Sequence, residues 1–142
     1  MQRKTGSGYI RLIDSIFYRE KKIREAVLDA RNDTGKPTGR SGSMPGDPTA
    51  SAAMRNITPL RSIIVDGEPL EWPEDWLRVI DATYAWCDND RFIVAKGRYG
   101  GEDYRQTCAK LCIGTTTFFK MLDDVRQHAA LCATQLGLIK FL

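Results

Sequence analysis

Apolar residues recur every three or four positions in the first quarter of the chain, which is the period of one face of an α-helix. The residues that share this face are Tyr9, Ile13, Ile16, Glu20, Ile23, Val27 and Ala30, with one polar interruption. The pattern predicts one long amphipathic helix within an N-terminal segment of residues 1–32. Its apolar stripe is narrow, so the helix either packs on its own domain or pairs with a second copy as a short coiled coil.

The helical period stops in residues 33–51, whose sequence is DTGKPTGRSGSMPGDPTAS. Glycine, proline, serine and threonine dominate this stretch, which predicts a flexible linker or loop. Near its end, Asp47 followed by Pro48 is typical of a helix start, so a short helix is expected to about Asn56. Residues 61–69, RSIIVDGEP, predict a brief extended piece that ends in an Asp-Gly turn.

Helical periodicity returns at residue 73 and continues almost to the end of the chain. Four helices are expected in residues 73–87, 88–99, 104–111 and 115–136, punctuated by Gly100-Gly101 and ended by Gly137. The predicted fold is therefore all-α, with a long N-terminal helix, a flexible loop and a C-terminal four-helix bundle. The C-terminal domain is expected to span residues 52–142.

Length and composition agree with one soluble domain that carries an appendage. The chain has 142 residues, of which 42% are hydrophobic, and it contains no apolar run long enough to span a membrane. No apolar block follows the charged residues at the N-terminus, so no signal peptide is expected and the protein should work in the cytoplasm. In that reducing compartment the four cysteines are expected to be free thiols.

Basic residues are concentrated in two zones, although the net charge is only +3. Residues 1–24 contain seven Lys and Arg against two acidic residues, and residues 91–120 contain six against two. Such zones favour an anionic partner, and a solvated protein surface is the alternative interpretation.

The segment YRQTCAKLCIGTTTFFKMLDDV, residues 104–125, meets the local requirements of a helix-turn-helix. Cys108 provides a small residue where two helices pack, and Leu111 and Ile113 provide apolar residues on either side of the turn. Phe118 and Leu122 then form the inner face of the second helix. The residues left facing outward near its start are Thr115, Thr116, Phe119 and Lys120.

This segment resembles the helix-turn-helix of sigma-70 factor region 4, and the layout of the chain resembles the short phage and prophage transcription regulators of the RinA and ArpU type. Cys112 and Gly114 stand where the pattern usually has Gly and Ser, and Thr115 could replace the missing side-chain cap. The resemblance implies a positioning helix at Tyr104–Leu111 and a recognition helix from Thr115 onward. It also implies activation of late phage genes in a bacterial host cell, on double-stranded DNA, with the N-terminal helix contacting RNA polymerase or forming a homo-oligomer.

Arginine and lysine hold phosphates in such complexes, while a few side chains reach base edges in the major groove. Phe119 could instead pack beneath the N-terminal segment. The expected DNA-binding residues are Arg98, Arg105, Lys110, Thr115, Thr116, Thr117, Phe119 and Lys120.

Two other functions remain open at this point. A phage terminase small subunit, which binds packaging-site DNA, also combines a helix-turn-helix with an oligomerising helix. A zinc-stabilised interaction module would use Cys108, Cys112, His128 and Cys132, but in a helix-turn-helix these side chains would not converge, so no metal is expected. No nucleophile partners the single histidine and no phosphate-binding loop is present, so neither an enzyme nor a cofactor is expected.

Overall fold

The computed structural model describes residues 2–35 and 58–139, and the side chains of residues 8–32 and 58–139. The predicted helix from Asp47 to Asn56 and most of the predicted linker lie outside these ranges. In the described ranges the elements, in chain order, are α1 (Gln2–Tyr18), α2 (Glu20–Gly35), β1 (Ser62–Val65), β2 (Glu68–Glu71), α3 (Pro73–Trp86), α4 (Asn89–Tyr99), α5 (Tyr104–Leu111) and α6 (Thr115–Gln135).

The expectation of a mainly helical fold is confirmed, with a two-stranded sheet as an addition that the all-α prediction lacked. The predicted single N-terminal helix is wrong in one respect, because the chain makes a turn at Arg19 between α1 and α2. There the Arg19 amide is shared between the carbonyls of Ser15 and Ile16, at 3.1 and 3.2 Å. No described helix is long and apolar enough to cross a membrane.

The chain divides into two compact units, one formed within Met1–Glu20 and Asp75–Leu142 and the other within Lys21–Glu74. The predicted domain boundaries after residues 32 and 51 stay a prediction, because most of the segment between them lies outside the described ranges.

The smaller unit contains α2 and the hairpin of β1 and β2. The strands pair antiparallel, with Ile63 opposite Leu70 and Val65 opposite Glu68. Asp66 and Gly67 both have positive φ angles, 54° and 79°, as a two-residue type I′ turn requires. The expected extended piece and Asp-Gly turn are therefore confirmed, and the sequence missed only the returning strand.

The larger unit is helical and its core is built from the predicted apolar faces. Trp76, Val79, Ile80 and Thr83 of α3 are buried, as expected. Helix α1 packs against α4 and α6 and buries Ile13 and Ile16 of its predicted stripe, together with Phe17, which the stripe did not include. Of the two alternatives for the N-terminal helix, α1 thus follows the first and packs on its own domain.

A polar network at the side chain of Asp14 fastens α1 to its two neighbours. Arg126 of α6 donates two hydrogen bonds to the Asp14 carboxylate, both 2.9 Å long, and the Tyr99 hydroxyl of α4 donates a third of 2.7 Å. The Arg126 and Asp14 side chains are only 13% and 20% exposed. Burial, followed by the hydrogen bond to Asp14, raises the pKa of Tyr99, so its hydroxyl keeps its proton and remains a donor.

Candidate nucleic-acid interface

Helices α4, α5 and α6 form a three-helix arrangement in which each helix contacts the other two. Its centre is a cluster of three fully buried residues, Val94, Phe118 and Leu122. Partly buried apolar side chains surround the cluster, among them Cys108, Leu111 and Ile113 around the α5–α6 turn. The packing positions assigned from the sequence are therefore occupied as expected.

Local hydrogen bonds fix the bounds of α5. The Asp103 carboxylate caps its start by accepting the Arg105 amide at 3.0 Å. At its end Cys112 takes the left-handed conformation, with φ 55° and ψ 46°, and the Ile113 amide reaches back to the Cys108 carbonyl at 3.1 Å. The Cys112 amide also bonds to Ala109, which completes a Schellman motif. Cys112 thus makes the turn that glycine usually makes, at a cost of ~1–2 kcal/mol for a side chain in this conformation.

The start of α6 has no side-chain cap. Gly114 is the N-cap residue in an extended conformation, and no side chain accepts a hydrogen bond from the first turn. The expected cap by Thr115 is therefore wrong, because Thr115 lies already inside the helix. The first amides of a helix have no acceptor within it. This turn therefore presents N–H groups that can donate hydrogen bonds to an anion.

The residues predicted to face outward near the start of α6 do so. Thr115, Thr116, Thr117, Phe119 and Lys120 are all exposed, whereas Phe118 between them is fully buried. Lys120 makes no ion pair with any described residue. This part of α6 is therefore a polar surface with one unneutralised positive charge.

Phe119 is exposed and yet held in place. Its ring centroid lies 5.6 Å from that of Tyr104 and 5.0 Å from that of Phe118, the latter at an interplanar angle of 88°. These contacts are with α5 and with its own helix. Packing beneath the N-terminal segment, the alternative left open by the sequence, is not what the described residues show. The residue as a whole is 37% exposed.

The three basic residues outside α6 that were expected to hold phosphates differ in their surroundings. Arg105 is exposed and its guanidinium carbon lies 5.7 Å from the centroid of the Tyr104 ring. Arg98 is half-buried, and its Nε has no partner among the described residues. Lys110 donates to Glu102 at 2.6 Å. That lysine and a hydrogen bond from Thr107 lower the pKa of Glu102, so the pair stays ionised at neutral pH.

A second surface feature escaped the sequence analysis. The Trp86 and His128 rings stack with centroids 4.3 Å apart and an interplanar angle of 6°. They line an open pocket of about 190 Å³ together with Arg91, Asp124, Gln127 and Leu131. Arg91 is not available there as a free cation, because it donates to Asp124 at 2.8 Å and to Asp88 at 2.9 Å.

The four residues of the zinc alternative do not gather at one point. The thiols of Cys108 and Cys112 lie 3.9 Å from the backbone carbonyls of Gly114 and Ala109, and His128 stacks on Trp86. Burial raises the pKa of Cys132, which disfavours the thiolate that zinc binds. Among the described residues no three His, Cys, Asp or Glu side chains are placed to hold a metal ion.

In comparisons with known proteins, no family model, no curated protein and no solved structure matches this chain.

Proposed function

We propose that this protein binds double-stranded DNA sequence-specifically, with the start of α6 in the major groove and α5 against the phosphate backbone. The observation that carries the proposal is the α5–turn–α6 geometry. A three-residue connection closed by Cys112 joins two helices that share a buried core with α4, and the outer face of α6 is left exposed. DNA-binding helix-turn-helix proteins use this combination.

Charge supports the same assignment. Lys120 and Arg105 carry positive charge without an ion pair among the described residues, and the uncapped first turn of α6 adds backbone donors. Phosphate oxygens accept hydrogen bonds from both kinds of group. Because the resemblance noted above is to phage regulators, we further propose transcription regulation, of the late-gene activator type, as the setting of this DNA binding.

The test compares Lys120→Ala and Thr116→Ala with the unaltered protein on duplexes selected from the parent genome. Lys120 neutralises one phosphate in this arrangement, so its loss should reduce the slope of log affinity against log salt by about 0.9 unit. Thr116→Ala should lower the affinity for the selected duplexes without changing that slope, since it removes no charge. Circular dichroism should show the same helicity for both variants because the two side chains are exposed.

The control is Arg78→Ala, which also removes an exposed positive charge from a helix, one that is paired with Asp75 at 3.2 Å. The Arg78 side chain is 74% exposed on α3. It should leave the salt slope unchanged. An equal effect of Lys120→Ala and Arg78→Ala, or no retention of any duplex by the unaltered protein at moderate salt, would contradict the proposal.

A further inference from the structure

We infer that the exposed face at the start of α6 recognises thymine through its 5-methyl group, with Phe119 as the principal specificity-determining residue. This inference rests on the proposed function and adds the class of DNA sequence that the site prefers, namely sites with thymine at the positions that Phe119 and Thr116 face.

The argument begins with the side chains that α6 can offer to a base edge. Residues four apart lie on one face of a helix, so Thr115 stands beside Phe119, and Thr116 beside Lys120. The first six residues, TTTFFK, contain no Arg, Asn or Gln. Readout of guanine by Arg, or of adenine by Asn or Gln, is therefore not available from this turn and a half, and Lys120 is the one side chain there that can donate to guanine. What this face offers is three threonine side chains, each with a methyl and a hydroxyl group, one phenyl ring and one ammonium group.

Only one group on the major-groove edge of the four base pairs is apolar, and that is the thymine methyl. Contact of a threonine methyl or a phenylalanine ring with this methyl group makes the free energy of binding more favourable. Covering a polar edge of another base makes it less favourable, because the polar atoms then find no hydrogen-bond partner. The apolar groups on this otherwise polar face consequently favour contact with thymine.

Phe119 is the best placed of these groups because its ring is already fixed. The Tyr104 and Phe118 rings lie against it, at 5.6 and 5.0 Å between centroids, while 37% of the residue remains open to solvent. A ring held in this way has little rotamer freedom left to lose on binding. Its exposed part is therefore a preformed apolar contact, supported from beneath by α5.

Deoxyuridine provides the test, since replacing thymidine by it removes the methyl group and leaves every hydrogen-bonding atom of the base in place. Duplexes are selected from a random 20-base-pair pool and synthesised again with deoxyuridine at one thymidine position at a time. For the unaltered protein we expect affinity to fall about fourfold at each contacted position, which corresponds to ~0.8 kcal/mol per buried methyl-sized group. Phe119→Ala should bind the thymidine and deoxyuridine forms equally at the position that Phe119 contacts.

Phe119→Leu is the companion variant, because it keeps an apolar side chain and should retain part of the discrimination. Since Phe119→Ala loses ring contacts, its folding is checked by thermal melting. If it does not fold, Phe119→Leu tests the role of Phe119, and thymine readout itself is tested by Thr116→Ser. That change removes one methyl group and keeps the hydroxyl, so the discrimination at its own position should disappear.

The outcomes separate the inference from the function on which it rests. Equal affinity of the unaltered protein for thymidine and deoxyuridine duplexes would overturn the thymine inference and leave DNA binding intact. Full discrimination by Phe119→Ala at every position would overturn the role of Phe119. Failure to retain any duplex of the random pool would overturn the proposed function and the inference together.

Discussion

The two parts of α6 have opposite surroundings. From Thr115 to Lys120 the outward side chains are exposed, and Lys120 makes no ion pair with a described residue. From Asp123 onward the charged residues are engaged, since Asp124 accepts from Arg91, and Arg126 binds Asp14. One part is thus an open surface and the other attaches the helix to its neighbours.

A count of basic residues therefore does not measure the charge that a partner can use. Arg91 and Lys110 both belong to the basic zone at residues 91–120, and both are paired with carboxylates at 2.9 Å or less. Lys96, Arg105 and Lys120 are the exposed members of that zone without an ion pair to a described residue, and of these Lys96 lies over the Tyr84 ring at 4.4 Å. The positive surface proposed to face DNA is therefore smaller than the sequence suggests, and it is centred on the α5–α6 turn.

The largest effect is expected from Arg126→Ala, in the part of α6 that attaches the helix to its neighbours. Among the described residues this change leaves the Asp14 carboxylate with the Tyr99 hydroxyl alone, in surroundings where the two charged side chains are 13% and 20% exposed. We expect the free energy of unfolding to fall by about 2–3 kcal/mol, near the lower end for a broken buried pair. Urea denaturation followed by circular dichroism measures it.

Arg78→Ala again serves as the control for Arg126→Ala, because its ion pair with Asp75 is exposed and should contribute less than about 1 kcal/mol. Well below the melting temperature the Arg126 variant should bind DNA normally, since the open part of α6 is unchanged. A loss of stability no greater than that of the control would show that the Asp14 network does not hold α1 in place.

A smaller effect is expected from Lys110, a paired lysine next to the open part of α6. Glu102 already balances its charge, so Lys110→Ala should reduce the salt slope of DNA binding by less than half as much as Lys120→Ala does. Conversely, Glu102→Gln should free Lys110 and strengthen DNA binding about two- to threefold at low salt. Fluorescence anisotropy on one selected duplex measures both variants. Equal slopes for Lys110→Ala and Lys120→Ala would remove the distinction between paired and unpaired lysines.

Local signals made most of the helical architecture predictable. The bounds of α5 at Tyr104 and Leu111 and the start of α6 at Thr115 agree with the sequence, because capping residues and the apolar period act over a few residues. The break at Arg19 was missed for a related reason. Ile16 and Ile23 on either side of it are both buried, so the apolar period continues through the turn and gives no sign of it.

The candidate site was predictable only where a property depends on position along one helix. Outward exposure of Thr116 and Lys120 follows from helical spacing. The stacking of Trp86 on His128 joins residues from α3 and α6, and the Arg126–Asp14 pair joins residues 112 positions apart. Such pairs depend on how helices pack, which the spacing of residues along a single helix does not specify.

The smallest effect is expected from pH, through His128 in the part of α6 that attaches the helix to its neighbours. Burial lowers the pKa of His128 in the folded protein below its ordinary value of ~6.5. The unfolded chain therefore binds the proton more readily than the folded one, so stability is greatest above pH ~6.5 and falls as the pH drops through that value toward the lower folded pKa. His128 is still partly exposed, which keeps the change small.

The measurement is the urea midpoint at pH 7.5 and at pH 5.5, a range in which most carboxylates stay ionised. Replacement by glutamine, His128→Gln, removes the titrating group, so the unaltered protein should lose more stability between these two values than the variant does. Trp86 fluorescence reports the same step locally, because the ring stacked on it gains the proton. An identical pH dependence of both proteins would mean that the imidazole on Trp86 accepts a proton as easily as it does in the unfolded chain. His128→Gln should leave the affinity for DNA unchanged, since His128 lies outside the start of α6, the part of the helix that is proposed to contact DNA.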